Sequence, residues 1–319
     1  MIHYIRKRLL TAVPVFFGIT LLVFFCLELV PANITDLGGE EGGTAGNQAV
    51  MEERLGLDRP VVERYLSWLG GLFHGDLGDS WQTGRPVSAM IAQRVGPSLI
   101  LTGTGVVLAI LLAIPLGAAA AWRPRSVWDK LASVCSMVSF GMPGFLLSLA
   151  GVYVFSVVLR WLPSARMYAT GTSGTVGDLI YHLILPAGVV CVSSMGELVR
   201  QTRSACLEAL GEDYIRTARA KGLTERQVMR HALRGSLLPV LTTVLSHIPH
   251  IIGGSVVVEQ IFGWPGMGSL LFSAINSRDF GIVMGVTVVI ALTVLGTNLV
   301  LDLLYGLVDP RVRREEVGR

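Results

Sequence analysis

The chain has 319 residues, of which 51% are hydrophobic and only 15% charged, and its mean hydropathy is +0.59. Soluble domains carry about 25% charged residues, so this composition excludes an ordinary water-soluble domain and points to lipid as the solvent. A net charge of +3 is too small to suggest a nucleic-acid partner, and the four cysteines, Cys26, Cys135, Cys191 and Cys206, lack the Cys-X-X-Cys spacing of a zinc site and form no disulfide framework.

The chain opens with Arg6-Lys7-Arg8 and an apolar run to Val30. That run is long enough to span a bilayer, ends without a clean small-X-small cleavage site, and is read as a retained first helix. Crossing a hydrocarbon core of about 30 Å takes about 20 apolar residues. Six stretches qualify, near 9–30, 98–121, 132–159, 179–198, 237–261 and 281–307. Backbone polar groups in lipid must bond within their own segment, and these runs do not alternate as barrel strands would, so all six are expected to be helical. Pro14, Pro115, Pro143, Pro186 and Pro249 fall inside them and are expected to kink some.

Orientation follows from the basic residues. With a cytoplasmic N-terminus, segments 1–8, 122–131, 199–236 and 308–319 hold 18 of the 26 Lys and Arg, against 8 on the other side. The positive-inside rule therefore places both termini in the cytoplasm. The expected organisation is a tail and first helix over 1–30, an extracytoplasmic loop over 31–97, a five-helix core over 98–307 and a cytoplasmic tail over 308–319. Within loop 31–97, a Gly-rich stretch from Gly38 to Gly46 precedes an amphipathic one, where Val61, Tyr65, Trp68 and Leu72 share a helical face behind Pro60. This is a cap at the membrane surface or a docking surface.

The cytoplasmic loop 199–236 reads as two short helices with a break. The first starts with Glu212-Asp213 and ends with Arg216, Arg219 and Lys221, an order that complements the helix dipole. Gly222 stands where a left-handed helix end is expected. Thr224 and Gln227 have capping-box spacing, opening a second helix that runs through Val228, His231 and Leu233 to Pro239 and the fifth span. Such a hairpin can pass a push from a cytoplasmic protein into the bundle; the competing reading is a basic loop lying on anionic lipid.

The run from Asp213 through Tyr214, Ile215, Arg216, Thr217, Ala218, Arg219, Ala220, Lys221 and Gly222 to Leu223 resembles the coupling loop of ATP-binding cassette importer permeases. More narrowly, it resembles the dipeptide, oligopeptide and nickel permease family, with Arg216 at the Glu position of the Glu-Ala-Ala loop, Ala218 and Gly222 matching, and Leu238-Pro239 at its end. Further matches are Leu55 to Pro60, Gly75-Asp76-Leu77-Gly78, Gly253-Gly254-Ser255 through Glu259, Phe262 to Gly268, and Asp309-Pro310-Arg311. The sequence departs from the family pattern at Pro31-Ala32-Asn33, where the family has Gly-Asp-Pro, and at Gly235, where it has Asn after the Arg.

The resemblance implies an all-α integral membrane protein with the type I ABC importer permease fold: six transmembrane helices and a cytoplasmic coupling hairpin. It implies a bacterial inner-membrane location and assembly with a second homologous permease subunit, two ATPase subunits and an extracytoplasmic substrate-binding protein. The chain carries no Gly-X-X-X-X-Gly-Lys-Ser/Thr phosphate loop, so no cofactor is expected in it, and ATP and Mg would be bound by the ATPase subunits. Tyr214, Ile215, Ala218, Arg219, Lys221, Gly222 and Leu223 are the expected coupling residues, with Tyr214, Ile215 and Ala218 forming the inserted face. His247, His250 and Glu259 are expected along the translocation path. Imidazole suits nickel, so His247 and His250 keep nickel or a metal chelate open beside short peptides as cargo. Packing between helices is the plainer role for both. An intramembrane enzyme is a remote alternative, because no His-Glu-X-X-His motif or intramembrane Asp pair accompanies them.

Overall fold

The computed structural model describes residues 2–29, 59–171 and 174–308. The Gly-rich stretch, Leu55 to Asp58, the Pro31 departure and the tail with Asp309-Pro310-Arg311 lie outside them. Every regular element among the described residues is a helix. In chain order they are α1 (Ile2–Glu28), α2 (Val61–Phe73), α3 (Val87–Trp122), α4 (Val127–Gly141), α5 (Gly144–Gly151, continued by a π-helical stretch Val152–Val158), α6 (Val176–Gly211), α7 (Asp213–Ala220), α8 (Glu225–Gly235), α9 (Leu237–Ser246), α10 (Ile248–Gly253), α11 (Val256–Ile261), α12 (Met267–Asn276) and α13 (Phe280–Val308).

Four unbroken segments are long and apolar enough to cross a membrane: Arg8–Glu28, Val87–Trp122, Val176–Gly211 and Phe280–Leu304. The other two expected spans are broken. Stretch 132–159 consists of α4 and α5 with its continuation, bent by 105°. The cause is local: Pro143 disfavours helical backbone at the residue before it, and Met142 is extended at φ −112°, ψ 115°. Stretch 237–261 is three short helices, with a single turn residue at His247 that keeps helical backbone and a full break at Gly254, whose φ is +72°. Pro14, Pro115 and Pro186, by contrast, sit inside continuous helices.

The bundle is centred on α3 and α6, which pack along their length, with α4 against the other side of α6. Small residues set these contacts. A Cβ on Gly105 would lie 2.6 Å from the Val190 side chain, and one on Gly117 would lie 2.8 Å from the Val199 carbonyl. Close backbone approach of this kind supplies van der Waals contact where lipid offers no hydrophobic driving force. Near the C-terminal end of α6, Arg203 Nε donates to Asp129 Oδ1 at 2.8 Å, tying α6 to α4. The Arg125 backbone N–H, then the Arg203 guanidinium, hold the Asp129 carboxyl below the usual carboxylate range.

The amphipathic stretch of the outer loop forms α2 and covers the outer end of α1. Its Tyr65 is buried edge-on to Phe24, with centroids 5.2 Å apart, and its hydroxyl lies 3.0 Å from Thr20 Oγ1. Arg64 pairs with Glu28 at 2.7 Å. Asp279 caps α13 and accepts hydrogen bonds from the Ser80 hydroxyl and the Trp81 backbone N–H, while Trp81 stacks on Phe280 at 5.3 Å.

Glu259, on α11, is 0% exposed. Its Oε1 accepts from Ser98 Oγ of α3 at 2.7 Å, and its Oε2 accepts from the Ser269 backbone N–H in the first turn of α12 at 2.8 Å. Ser98 Oγ accepts in turn from the Met267 N–H at 2.7 Å, and Trp264 Nε1 donates to the Pro97 carbonyl at 2.8 Å. The glycines of this segment fit the carboxylate: side chains on Gly254 or Gly266 would collide with it, and a Cβ on Gly268 would lie 2.7 Å from Val256 Cα. Glu259, expected along a path, is in this structure buried with both oxygens engaged. It is a sealed latch that satisfies a helix N-terminus and binds α11, α12 and α3 together.

Leaving buried donors unpaired costs about 1–3 kcal/mol each. Glu259→Ala is expected to lower the melting temperature of the purified chain in detergent, and Glu259→Gln, which keeps the acceptor for Ser98, to lower it less. Melting of both variants at the wild-type temperature would contradict the latch.

Candidate functional site: the cytoplasmic hairpin and the polar wall

The loop 199–236, expected on the cytoplasmic side, folds after the end of α6 as a hairpin of α7 and α8. Asp213 opens α7 and Arg219 stands in its last turn. Gly222 follows at φ +77°, its N–H bonding to the Arg219 carbonyl at 2.9 Å, and the Leu223 N–H reaches the Ala218 carbonyl at 3.3 Å. Thr224 and Gln227 form the reciprocal capping box, the Thr224 N–H donating to Gln227 Oε1 at 2.9 Å. The hairpin has its own core: Ile215, Val228, Met229 and Ala232 close on Ala209 of α6, with Leu210, Leu223 and Leu233 packed around them. Ser236 alone separates α8 from α9, so the hairpin runs directly into the broken membrane stretch.

This geometry divides the expected inserted face. Ile215 is 0% exposed and belongs to the hairpin core rather than the outer surface. The reason is that Val228, Met229 and Ala232 form an apolar stripe on α8 that Ile215 is placed to cover. Tyr214 is half exposed, and Ala218 is partly buried. Burial first, then the Glu212 carboxylate, raise the Tyr214 phenol above its usual value, so it stays a neutral hydroxyl. Its Oη occupies the space over Gly235 that any side chain there would need, which gives the Gly235 departure a physical reason. The exposed outer surface carries Arg216, Arg219 and Lys221, Arg219 pairing with Glu225 at 3.3 Å.

His247 and His250 lie about one helical turn apart within Leu237–Ile251, with ring centroids 6.4 Å apart. His247 is 8% exposed and its Nε2 has no hydrogen-bond partner; His250 is exposed. Among the described residues, no three His, Cys, Asp or Glu side chains gather as metal ligands. Glu259 lies apart, in its latch. In its place the structure brings up Glu197 of α6, whose Oε2 is 3.8 Å from His247 Nε2 and whose side chain is 51% exposed. Its signal in the sequence is a carboxylate inside the apolar run 179–198. Ser193, Glu197, Arg200 and Ser204 are all exposed and recur every three or four residues, giving α6 a polar stripe. Phe140 and Ser139 of α4 border it on one side, Arg200 lying over the Phe140 ring at 4.7 Å and Ser139 Oγ donating to the Ser193 carbonyl at 2.7 Å. His247 borders it on the other.

The sequence pattern of the binding-protein-dependent transport system inner membrane component matches residues 113–314, and that of the N-terminal part of the same membrane component matches residues 1–102. The chain is 40% identical over 314 residues to the oligopeptide transport system permease protein AppB of Bacillus subtilis, covering 98% of this chain and 99% of the relative. It is 34% identical over 347 aligned positions to the dipeptide transport system permease protein DppB of Escherichia coli K12, covering 99% and 100%. A component of this kind is a non-catalytic, multi-pass membrane subunit that works with a substrate-binding protein and ATPase subunits. The chain belongs to the family of inner membrane components of binding-protein-dependent transport systems.

Proposed function

We propose that this chain is one of two homologous permease subunits of an importer for short peptides, sitting in a bacterial inner membrane with both termini in the cytoplasm. Two ATPase subunits bind ATP and Mg below it, and a substrate-binding protein delivers cargo from outside. The observation that carries this reading is the hairpin. It is a folded, capped unit with a core of its own, anchored on the end of α6 and joined to α9 through one residue. Such an element transmits displacement instead of absorbing it. Tyr214, Ala218, Arg219 and Lys221 offer the contact surface, while Ile215, Gly222 and Leu223 hold its shape. His247 and His250 stand beside the path. Peptide cargo is supported by the relatives named for oligopeptide and dipeptide transport; those names do not favour nickel.

The reading is tested by reconstituting the complete importer in vesicles and measuring ATP-dependent uptake of a labelled dipeptide. Uptake of nickel in place of the dipeptide would overturn the cargo assignment. Orientation is tested separately, on the basis of the 18 to 8 split of Lys and Arg. A reporter inserted in loop 31–97 is expected outside and one fused after Arg311 inside; both on one side would contradict the topology.

A side chain at a left-handed position costs about 1–2 kcal/mol, and Gly222 has open space around it. The effect of Gly222→Val is therefore conformational, not steric. This variant is expected to reach the membrane at the wild-type level yet lose association with the ATPases or the ATP turnover that substrate stimulates, while Gly222→Asn, which tolerates positive φ, retains most of both. Ala218→Arg is expected to lose association by obstructing close approach. Full assembly and full stimulated turnover with both Gly222→Val and Ala218→Arg would show that the hairpin is not the coupling element.

A further inference from the structure

The polar wall contains a charge that the fold does not use. Glu197 lies six residues before Arg203, about 9 Å along α6 by helix rise, and Arg203 is committed to Asp129 at the cytoplasmic base. His247 stands at the far end of the ten-residue α9, about 15 Å along it from the cytoplasmic hairpin. Their meeting at 3.8 Å therefore places Glu197 within the bundle and not at its cytoplasmic rim. Among the described residues His247 is its only ionic neighbour, and it has no hydrogen-bond donor. Arg200, one turn on, is turned away over Phe140. A half-exposed carboxylate at this depth cannot face hydrocarbon, because ionisable side chains in spans face the bundle interior or a water-filled cavity. His247 Nε2, buried and without a hydrogen bond, is aimed toward it, and the exposed His250 continues the wall.

We infer that Glu197 contacts cargo in transit and that the group it takes is the N-terminal ammonium of the peptide. This rests on the peptide-importer reading above. Peptides differing in every side chain share their two ends, and the α-amino group, with an ordinary pKa of about 7.7–8.0, is substantially protonated at neutral pH. A carboxylate whose lone pairs are not consumed by the fold attracts that ammonium over other parts of the chain. Glu259 shows the contrast: it is a buried carboxylate that lies apart from this site, and its oxygens are spent on Ser98 and Ser269. Glu197 and His247 thus form one polar station, with Ser193 one turn before Glu197 on α6.

The test compares a labelled dipeptide bearing a free amino group with its N-acetyl counterpart, using the complete importer reconstituted with its binding protein. Glu197→Gln keeps the size and removes the charge. It is expected to co-purify with the ATPases at the wild-type level, to lower free-amino dipeptide uptake about tenfold, a change of about 1.4 kcal/mol, and to leave N-acetyl dipeptide uptake within about twofold of wild type. Glu197→Asp, which keeps the charge, is expected to restore most of the free-amino uptake. The proposal is overturned if Glu197→Gln takes up the free-amino dipeptide at the wild-type rate, if both dipeptides fall together, if Glu197→Asp fails as badly as Glu197→Gln, or if Glu197→Gln fails to assemble, which would make the carboxylate structural. A wild-type importer that takes up no dipeptide at all would instead overturn the peptide-importer reading, so the two failures are distinguishable.

Discussion

In hydrocarbon, every backbone N–H and C=O must find a partner inside the protein, and each helix end releases up to four of them. This constraint bears hardest on the stretch from Leu237 to Asn276, which is four short helices instead of one span and a loop. Its breaks are tolerable only where protein covers them. Glu259 provides that cover at the start of α12 by accepting from the Ser269 N–H while holding Ser98, which accepts from the Met267 N–H. Asp279 does the same for α13 and fixes the outer loop at Ser80 and Trp81 in the process. The glycines around Glu259 are a consequence, since a carboxylate can be buried against backbone only where side chains are absent.

The division between rigid and broken elements gives the bundle a mechanical sense. α3 and α6 each have 36 residues, about 54 Å at the usual helix rise, and touch through glycines that leave no room to slide. Against this frame stand the bent α4–α5 pair, interrupted just ahead of Pro143, and the α9–α11 chain, which breaks at Gly254. A hinge is expected at Pro143 because the missing N–H and restricted backbone concentrate bending at one residue.

The hairpin was legible in the sequence to the level of individual hydrogen bonds. Gly222, Thr224 and Gln227 act through their own backbone neighbourhood, so local pattern determines what they do. The long uninterrupted helices were legible for a similar reason: apolar length is a local property. What was not legible depended on contacts distant in sequence. An eight-residue helix is too short for its periodicity to say which face turns inward, and Ile215 went to the core because of a stripe on α8. Glu259 looked like a path residue because a carboxylate in a span usually is one; its partners at Ser98 and Ser269 are known only once α3 and α12 meet. Glu197 is the reverse case, passed over near the end of an apolar run until the structure brought His247 beside it. Pro143 marks a break where Pro14, Pro115 and Pro186 do not, and nothing in the residue type distinguishes them.

The proposed coupling and the polar wall meet at one joint. Ser236 connects α8 to α9, and α9 ends at His247. Glu197, on the other side of the pair, belongs to α6, which is braced by α3 through Gly105 and Gly117 and by α4 through Arg203 and Asp129. The end of α6 and the hairpin also share a core at Ala209 and Ile215. A displacement of the hairpin therefore reaches the bundle by two routes: through α6, which is held along its length, and through α9, which itself packs on α6 and α13.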